Sequence, residues 1–218
     1  MSLTLIIGEK SYSSWSLRAW LMLKHLGVPF EETTVPLYTP GSRDAVRLLG
    51  GETGQVPVLV DGDVVIWDTL AILEYLHESY PAVWPGDRAA RARARSLAAE
   101  MHSSFSAVRD AMPMNFRGRN RLARIDAVVQ ADIDRVDAIF ASAPPDSWLC
   151  GEFSAVDAMM APMACRLHTY GVPLSAKADA YAGKLRAHPL VQTWLGLGAA
   201  ETRVIPQSEL PERPQTAP

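Results

Sequence analysis

The chain has 218 residues, of which 48% are hydrophobic and 21% are charged, the composition of a globular protein that can bury a sizeable core. Its 21 basic and 24 acidic side chains give a formal charge of -3, so charge gives no reason to expect a nucleic-acid partner. No apolar run approaches the roughly 18 residues of a membrane span, and we expect a cytoplasmic protein that does not bind a membrane.

The first elements alternate between strand and helix patterns. The short apolar run over residues 3–7 predicts a buried strand. Apolar residues at helical spacing over 15–26 predict a helix that ends before Gly27. Residues 30–37 favour a second strand, and residues 44–49 favour a short helix.

A β-hairpin and a helix follow. Two apolar runs, over residues 56–60 and 64–67, are joined by Asp61-Gly62-Asp63, a strong hairpin signal. Asp68-Thr69 then offers capping side chains to a helix with apolar residues from Leu70 to Leu76. The predicted order is therefore β-α-β-α-β-β-α, a parallel βαβ unit followed by a hairpin and a closing helix.

Beyond a linker marked by Pro81 and Pro85, the pattern becomes helical throughout. Helices are predicted over residues 87–112, 121–141, 154–170, 175–186 and 189–199. The proline-rich residues 203–218 predict an irregular tail. The chain therefore divides into a mixed α/β domain over residues 1–80 and an all-helical domain over residues 87–202.

The two cysteines of the chain, Cys150 and Cys165, form neither a C-x-x-C pair nor a metal-ligand spacing. They predict buried thiols in a reducing compartment, and no metal site.

Hydroxyl side chains are concentrated between the first predicted strand and helix, from Ser11 to Ser16. Free backbone N–H groups and the positive end of the helix dipole meet there, which suits an anion such as a thiolate. The alternative is that Ser13 or Ser14 only caps the helix.

Two further elements suggest ligand binding. A cis bond at Val56-Pro57 would leave the N–H and C=O of Val56 free to pair with an extended peptide, whereas an ordinary trans proline at a strand start is the alternative. Asp68-Thr69 could bind a carboxylate at the helix N-terminus and an ammonium group at the Asp68 side chain; simple helix capping is the alternative.

These elements, in this order, resemble the cytosolic glutathione transferase family over nearly the whole chain except its last 15 or so residues. Q-V-P-V-L over residues 55–59, followed by D-T-L-A-I-L-E-Y-L over 68–76, is specific as a combination. S-S-W-S-L-R over 13–18 is similar to the S-S-C-S-x-R stretch of the zeta class and other serine-type bacterial members. The resemblance implies an α/β thioredoxin-like N-terminal domain plus an all-α C-terminal helical domain, with glutathione as co-substrate, a homodimer and a role in detoxification.

The resemblance also implies roles for individual residues. Ser13 or Ser14 would hydrogen-bond the glutathione sulfur as the catalytic residue, with Tyr12 as a competitor. The residues implied to bind glutathione are Tyr12, Trp15, Arg18, Gln55, Val56, Pro57, Asp68 and Thr69. The glycyl end of glutathione would meet Ser42, Arg43 or Gln55, and the choice stays open.

The end of the first helix in the helical domain would face the second substrate. The residues implied to line that pocket are Met112, Asn115, Phe116 and Arg117, with core packing as the alternative for Met112. Ser154 and Asp157 match the buried capping box of the family and are interpreted as structural.

The resulting functional prediction is a glutathione transferase that activates the thiol as a thiolate for attack on a small electrophilic, mostly apolar substrate. One alternative is a glutathione-dependent isomerase like maleylacetoacetate isomerase, although Trp15 stands where the zeta class has a cysteine. The other is a non-catalytic binding module of the same fold. A thiol–disulfide oxidoreductase is disfavoured because no cysteine lies near the first helix.

Overall fold

The computed structural model describes residues 3–214. Its N-terminal part is built on one mixed sheet of four strands. The strands are β1 (Leu3–Ile7), β2 (Phe30–Thr34), β3 (Val58–Asp61) and β4 (Val64–Trp67). They lie in the order β2-β1-β3-β4, with β1 parallel to β2 and antiparallel to β3, and with β3 and β4 antiparallel as the hairpin signal predicts.

Three helices cover the two faces of this sheet. They are α1 (Ser14–His25), α2 (Ser42–Leu48) and α3 (Thr69–Ser79). Because side chains alternate along a strand, Leu5 and Ile7 join the core under α1 and α3, while Ile6 packs with Val46 of α2 on the opposite face. The predicted β-α-β-α-β-β-α order is confirmed.

The second strand is shorter than predicted. It ends at Thr34 rather than at Leu37, because Pro36 has no N–H to continue the ladder. The N–H of Leu37 instead donates to the Glu9 carboxylate. The chain therefore leaves the sheet here and turns along the edge of the cleft that is described in the next subsection.

The remaining secondary structure is mostly helical. It consists of α4 (Arg88–Ser103), α5 (Ser106–Ala111), α6 (Ala127–Ala141), α7 (Ala155–Thr169), α8 (Ala176–Ala187) and α9 (Pro189–Ala199). Helix α7 lies at the centre of this helical part and packs against α1, α4 and α8. Every residue of α7 except His168 is buried. The predicted capping box is present at its start, where the N–H of Ser154 donates to Asp157.

The prediction of one continuous helix over residues 87–112 is wrong. The segment is broken into α4 and α5 at Ser104, and Phe105 adopts a left-handed backbone with φ 64°. Consecutive serines at 103 and 104 are weak helix formers, and the buried ring of Phe105 stabilises the bend. The break turns α5 toward the first domain.

The start of the next helix also differs from the prediction over 121–141. Helix α6 begins only at Ala127, because the Asp126 side chain accepts hydrogen bonds from Val128 and Val129 and caps the first turn. Arg121 lies instead in an extended segment that bridges to Glu212 of the tail.

The predicted linker and tail are packed against the rest of the chain. Val83 and Trp84 are buried in the main core although they lie between the two predicted domains. The described part of the tail is irregular as predicted, apart from a short 3-10 turn at Pro206–Ser208, and Ile205 is buried. The tail residues 215–218 lie outside the described residues.

One apolar core runs through both parts of the chain. The rings of Trp20 on α1 and Trp194 on α9 meet edge to face at 5.3 Å, and α1 packs closely along α7. The domain limits at 80 and 87 therefore remain sequence-based predictions. Within residues 3–214, no helix has both the length and the apolar character that a bilayer crossing requires.

Candidate active site

A cleft of about 960 Å³ lies between the sheet domain and the helical part. Of the residues predicted to be catalytic or to bind glutathione, those that line it are Tyr12, Ser13, Ser14, Trp15, Gln55, Val56, Pro57, Asp68 and Thr69. They come from three places in the sequence: the start of α1, the loop before β3 and the start of α3. The structure therefore brings together nearly all of the predicted glutathione-binding elements.

The start of α1 presents two serines to the cleft. Ser13 is the N-cap, and its Oγ accepts the N–H of Ser16 at 3.3 Å and lies 2.7 Å from the Ser16 Oγ. Ser14 is the first residue of the helix, and both serines are only 5% exposed. Ser13 therefore caps the helix, and its O–H, which donates to the Ser16 oxygen here, can turn to donate to an anion at this helix end.

The loop before β3 contributes a peptide-binding edge. The Val56-Pro57 bond is cis, so the trans alternative is wrong. Strand β3 pairs with its neighbours only from Val58 onward. Val56 thus lies beside the cleft just before the paired part of the sheet, where its backbone can meet an extended ligand.

The start of α3 carries the third element. The Asp68 Oδ1 accepts the N–H of Leu70 at 2.8 Å and caps the helix, as the alternative for this motif predicts. The Asp68 Oδ2 lies 2.6 Å from the Nε2 of His102 on α4, a contact that joins the two walls of the cleft. The Thr69 hydroxyl is buried and lies 3.5 Å from the carbonyl oxygen of Trp15.

Trp15 occupies the boundary between the two walls. The guanidinium of Arg18 lies 4.4 Å from the centre of its ring, and that of Arg109 lies 4.8 Å from it. The ring of His102 meets it edge to face at 5.2 Å. Cations over an indole face are attracted by its electrons, so Trp15 holds the positive charge of the helical wall close to the start of α1.

Arg18 does not line the cleft, and its placement in the glutathione-binding set is corrected. Its side chain is fully buried; Nε donates to the carbonyl oxygen of Met159 on α7 at 2.9 Å, and Nη1 donates to that of Ser14 at 3.1 Å. Burial, together with repulsion from Arg109 and Arg166, lowers the pKa of Arg18 well below its ordinary value. Arg18 joins α1 to the helical core.

The predicted second-substrate pocket is also corrected. Met112, Asn115 and Phe116 are buried, so the core-packing alternative for Met112 is correct. The Asn115 amide contacts the tail and its own loop instead of the cleft. Arg117 donates to the Tyr12 hydroxyl and to carbonyl oxygens of Glu201 and Arg203, which ties it to the tail.

A different set of residues forms the helical wall. The side chains there are those of His102, Arg109, Asp110, Pro113, Met114 and Arg166. Gln207 and Ser208 of the tail close one side. The cleft residues on α5 are not predicted by the sequence pattern, because they follow the break at Phe105. Arg166 lies on a helix whose sequence is apolar almost throughout, so its being an isolated arginine was the only sequence feature that could have indicated a role in the cleft.

The glycyl-end candidates share one rim of the cleft. Ser42 and Arg43 of α2 line this rim together with Gln55, so all three remain candidates for binding the glycyl end. Asp44, on the same rim, is paired with Arg47 at 2.9 Å. This rim combines donors and a positive charge, which suits a carboxylate.

The cysteines lie outside the cleft lining. Cys165 is buried, as predicted, and burial raises its pKa to about 12. Cys150 is only partly buried. Among residues 3–214, no three His, Cys, Asp or Glu side chains come together in a way that could hold a metal ion.

Comparison with known proteins agrees with this geometry. Residues 12–79 match the model of the glutathione S-transferase N-terminal domain. A solved structure of a glutathione transferase homologue from Burkholderia gl BGR1, with bound glutathione, superposes with a TM-score of 0.70 at 28% identity, covering 92% of this chain and 100% of that one.

Curated relatives match over shorter segments. A dichloromethane dehalogenase from Methylorubrum extorquens is 41% identical over 56 residues, which are 25% of this chain and 19% of the relative. A probable maleylacetoacetate isomerase from Caenorhabditis elegans is 36% identical over 90 residues, 40% of this chain and 41% of the relative. The chain thus spans less than half the length of each of these two relatives.

Proposed function

Because residues 12–79 match the glutathione S-transferase N-terminal domain, we propose that the chain is a member of that family, binds glutathione and activates its thiol for attack on a small electrophile. The observation that carries the proposal is the convergence of three elements on one cleft. These are the serines at the start of α1, the backbone before β3 and the Asp68-Thr69 pair at the start of α3.

Each element suits one part of glutathione. The γ-glutamyl end carries an ammonium group and a carboxylate, which match the Asp68 carboxylate and the N-terminal amides of α3. The cysteinyl backbone matches the edge formed by Val56. The sulfur then lies at the start of α1, and the glycyl carboxylate meets the rim of Ser42, Arg43 and Gln55.

Activation of the thiol requires stabilisation of its anion. A thiol of pKa about 8.5 is only a few per cent ionised at neutral pH, and a decrease of about two units needs roughly 2.7 kcal/mol in favour of the thiolate. One hydroxyl donor and a helix N-terminus together contribute energy of that order. Serine here donates a hydrogen bond and does not remove the proton, which passes to solvent.

The thiolate then attacks the electrophile. A carbon–sulfur bond forms while the bond to the leaving group breaks, and the leaving group departs with its electron pair. Trp15, Pro113 and Met114 offer apolar surface to the body of this second substrate.

The test combines three measurements on the purified protein. Calorimetric titration measures glutathione binding, the ultraviolet absorbance of the thiolate near neutral pH measures activation, and chlorodinitrobenzene measures conjugation. We expect all three to be positive. Binding without thiolate absorbance would instead support the non-catalytic binding module, and no binding would refute the site assignment.

A glutathione-dependent isomerase is the second candidate, favoured by the similarity to the Caenorhabditis elegans isomerase. The measurement that separates the two reactions uses maleylacetoacetate with a trace of glutathione. An isomerase converts the substrate without consuming glutathione, whereas a transferase consumes one glutathione for each product. Because Trp15 stands where the zeta class has a cysteine, we expect the protein to consume one glutathione for each product with conjugating substrates and not to isomerise maleylacetoacetate.

We also propose a cytoplasmic homodimer with a role in detoxification, on the basis of the family resemblance alone. Sedimentation equilibrium measures the mass in solution. A monomer at micromolar concentration would refute this part while leaving the glutathione site intact.

A further inference from the structure

The helical wall of the cleft contains a buried cation that forms no ion pair with any of the described residues. Arg166 on α7 lines the cleft, yet it is only 4% exposed. Its Nε has no hydrogen-bond partner among residues 3–214. A buried guanidinium is stable only when its charge and its donors are matched, so this side chain is incomplete as it stands.

The surroundings of Arg166 add positive charge instead of cancelling it. Arg109 on α5 lines the same wall and repels it, and only the Tyr170 side chain acts in the opposite direction. Burial and this repulsion lower the pKa of Arg166 to about 9, so the group remains a cation at neutral pH. Arg109 in turn donates to the carbonyl oxygens of Met101 and Ser104. Burial lowers the pKa of Arg109, and the carboxylate of Asp132 on α6 offsets part of that effect, whereas no carboxylate does so for Arg166 within residues 3–214.

The acidic side chains along the cleft do not balance this pair. Asp68 is engaged by the N–H of Leu70 and by His102, and Asp44 is paired with Arg47 on the opposite rim. Asp110 is the remaining acidic side chain on the helical wall. Arg166, the more deeply buried of the two guanidinium groups, therefore has no carboxylate partner among residues 3–214.

We propose that Arg166, assisted by Arg109, binds a carboxylate of the second substrate, so that the electrophile is a small organic anion. This inference rests on the proposed function, because it assigns the half of the cleft that glutathione leaves open. Guanidinium presents paired donors that match the two oxygens of a carboxylate. Trp15 and Met114 remain available for the apolar body of the same molecule. The expected substrate class thereby changes from mostly apolar to anionic.

The test compares two unreactive probes of the same shape, para-nitrobenzoate and its methyl ester. Their dissociation constants are measured by calorimetry with and without saturating glutathione. In the wild-type protein we expect the carboxylate to bind about 10-fold or more tightly than the ester, since a hydrogen bond to a charged group is worth that much. In Arg166→Met the ratio should fall close to one.

Matched variants control the comparison. Arg124→Met removes the same charge from an exposed position outside the cleft and should keep the wild-type ratio. Arg109→Met, which acts from the other helix, should reduce the ratio even if Arg166→Met fails to fold. Arg166→Met itself removes an unpaired buried charge, so we expect its urea midpoint to be equal to or above that of the wild type.

Two results would overturn the inference. One is a wild-type protein that shows no preference for the carboxylate over the ester. The other is an Arg166→Met protein that keeps the preference while its glutathione dissociation constant rises. That second result would mean that Arg166 binds glutathione instead of the second substrate. Failure of the proposed function has a different signature. In that case the carboxylate preference persists without glutathione, but no thiolate absorbance or conjugation is seen.

Discussion

The hydroxyl oxygens of Ser13 and Ser16 lie 2.7 Å apart at the start of α1. The Ser16 oxygen also accepts the N–H of Gly8 at 3.2 Å, and the Ser13 oxygen accepts the N–H of Ser16 at 3.3 Å. A hydroxyl is both donor and acceptor. When an anion binds, the Ser13 proton can turn to it while the Ser16 proton takes its place between the two oxygens.

Replacement of Ser13 by alanine should separate the two serine candidates. Loss of a hydrogen bond to the thiolate should raise the pKa of bound glutathione by about one unit or more and lower turnover at neutral pH about 10-fold, with a smaller effect on glutathione affinity. The pH dependence of thiolate absorbance measures the pKa. Ser14→Ala is the matched control, and a larger shift in that variant would move the catalytic role to Ser14.

Ser16 should act as a positioning residue for Ser13. Ser16→Ala removes the donor that replaces the Ser13 proton, and we expect the glutathione thiol pKa to rise by a few tenths of a unit, less than in Ser13→Ala. The double variant should equal Ser13→Ala alone, because Ser16 acts only through Ser13. Additive shifts in the pH profile would contradict this relay.

Tyr12 should not activate the thiol. Its hydroxyl lies 2.6 Å from the Glu209 carboxylate of the tail and accepts from Arg117, so its own proton is already donated. Burial and the hydrogen bond to Glu209 raise the pKa of Tyr12, which keeps the phenol neutral at physiological pH. We therefore expect Tyr12→Phe to keep the thiol pKa of the wild type. A rise comparable to that in Ser13→Ala would identify Tyr12 as the donor.

Arg18 should affect stability more than ligand binding. Arg18→Met deprives two carbonyl oxygens of a charged donor, and we expect the free energy of unfolding to fall by about 1–3 kcal/mol. The glutathione dissociation constant of the folded variant should change little, because Arg18 lies outside the cleft lining. Asp68→Asn provides the contrast, since it removes the proposed partner of the glutathione ammonium group and should weaken binding about 10-fold. Urea titration and calorimetry measure the two quantities; weak binding by a stable Arg18→Met would refute this assignment.

Short-range chemistry made much of the first domain predictable. The Asp61-Gly62 turn, the Asp68 cap and the end of α1 near Gly27 depend on interactions within a few residues, and each is found where the pattern predicts it. The same holds for the serines at the start of α1. Family resemblance then supplied the cis bond at Val56-Pro57, for which residue patterns alone favoured the trans form.

The helical wall could be decided only by the tertiary structure. Arg117 lies in an arginine-rich stretch and Arg166 is an isolated arginine, yet the first is held by the returning tail and the second lines the cleft. Which face of α7 meets the cleft depends on its packing against α1 and α4, which are remote from it in the chain, as well as against the neighbouring α8. The break at Phe105 has the same origin, because burial of its ring against distant residues stabilises a backbone conformation that local preference disfavours. Local patterns and the family resemblance therefore determined the half of the cleft that is proposed to bind glutathione, and long-range packing decided the half that is proposed to meet the second substrate.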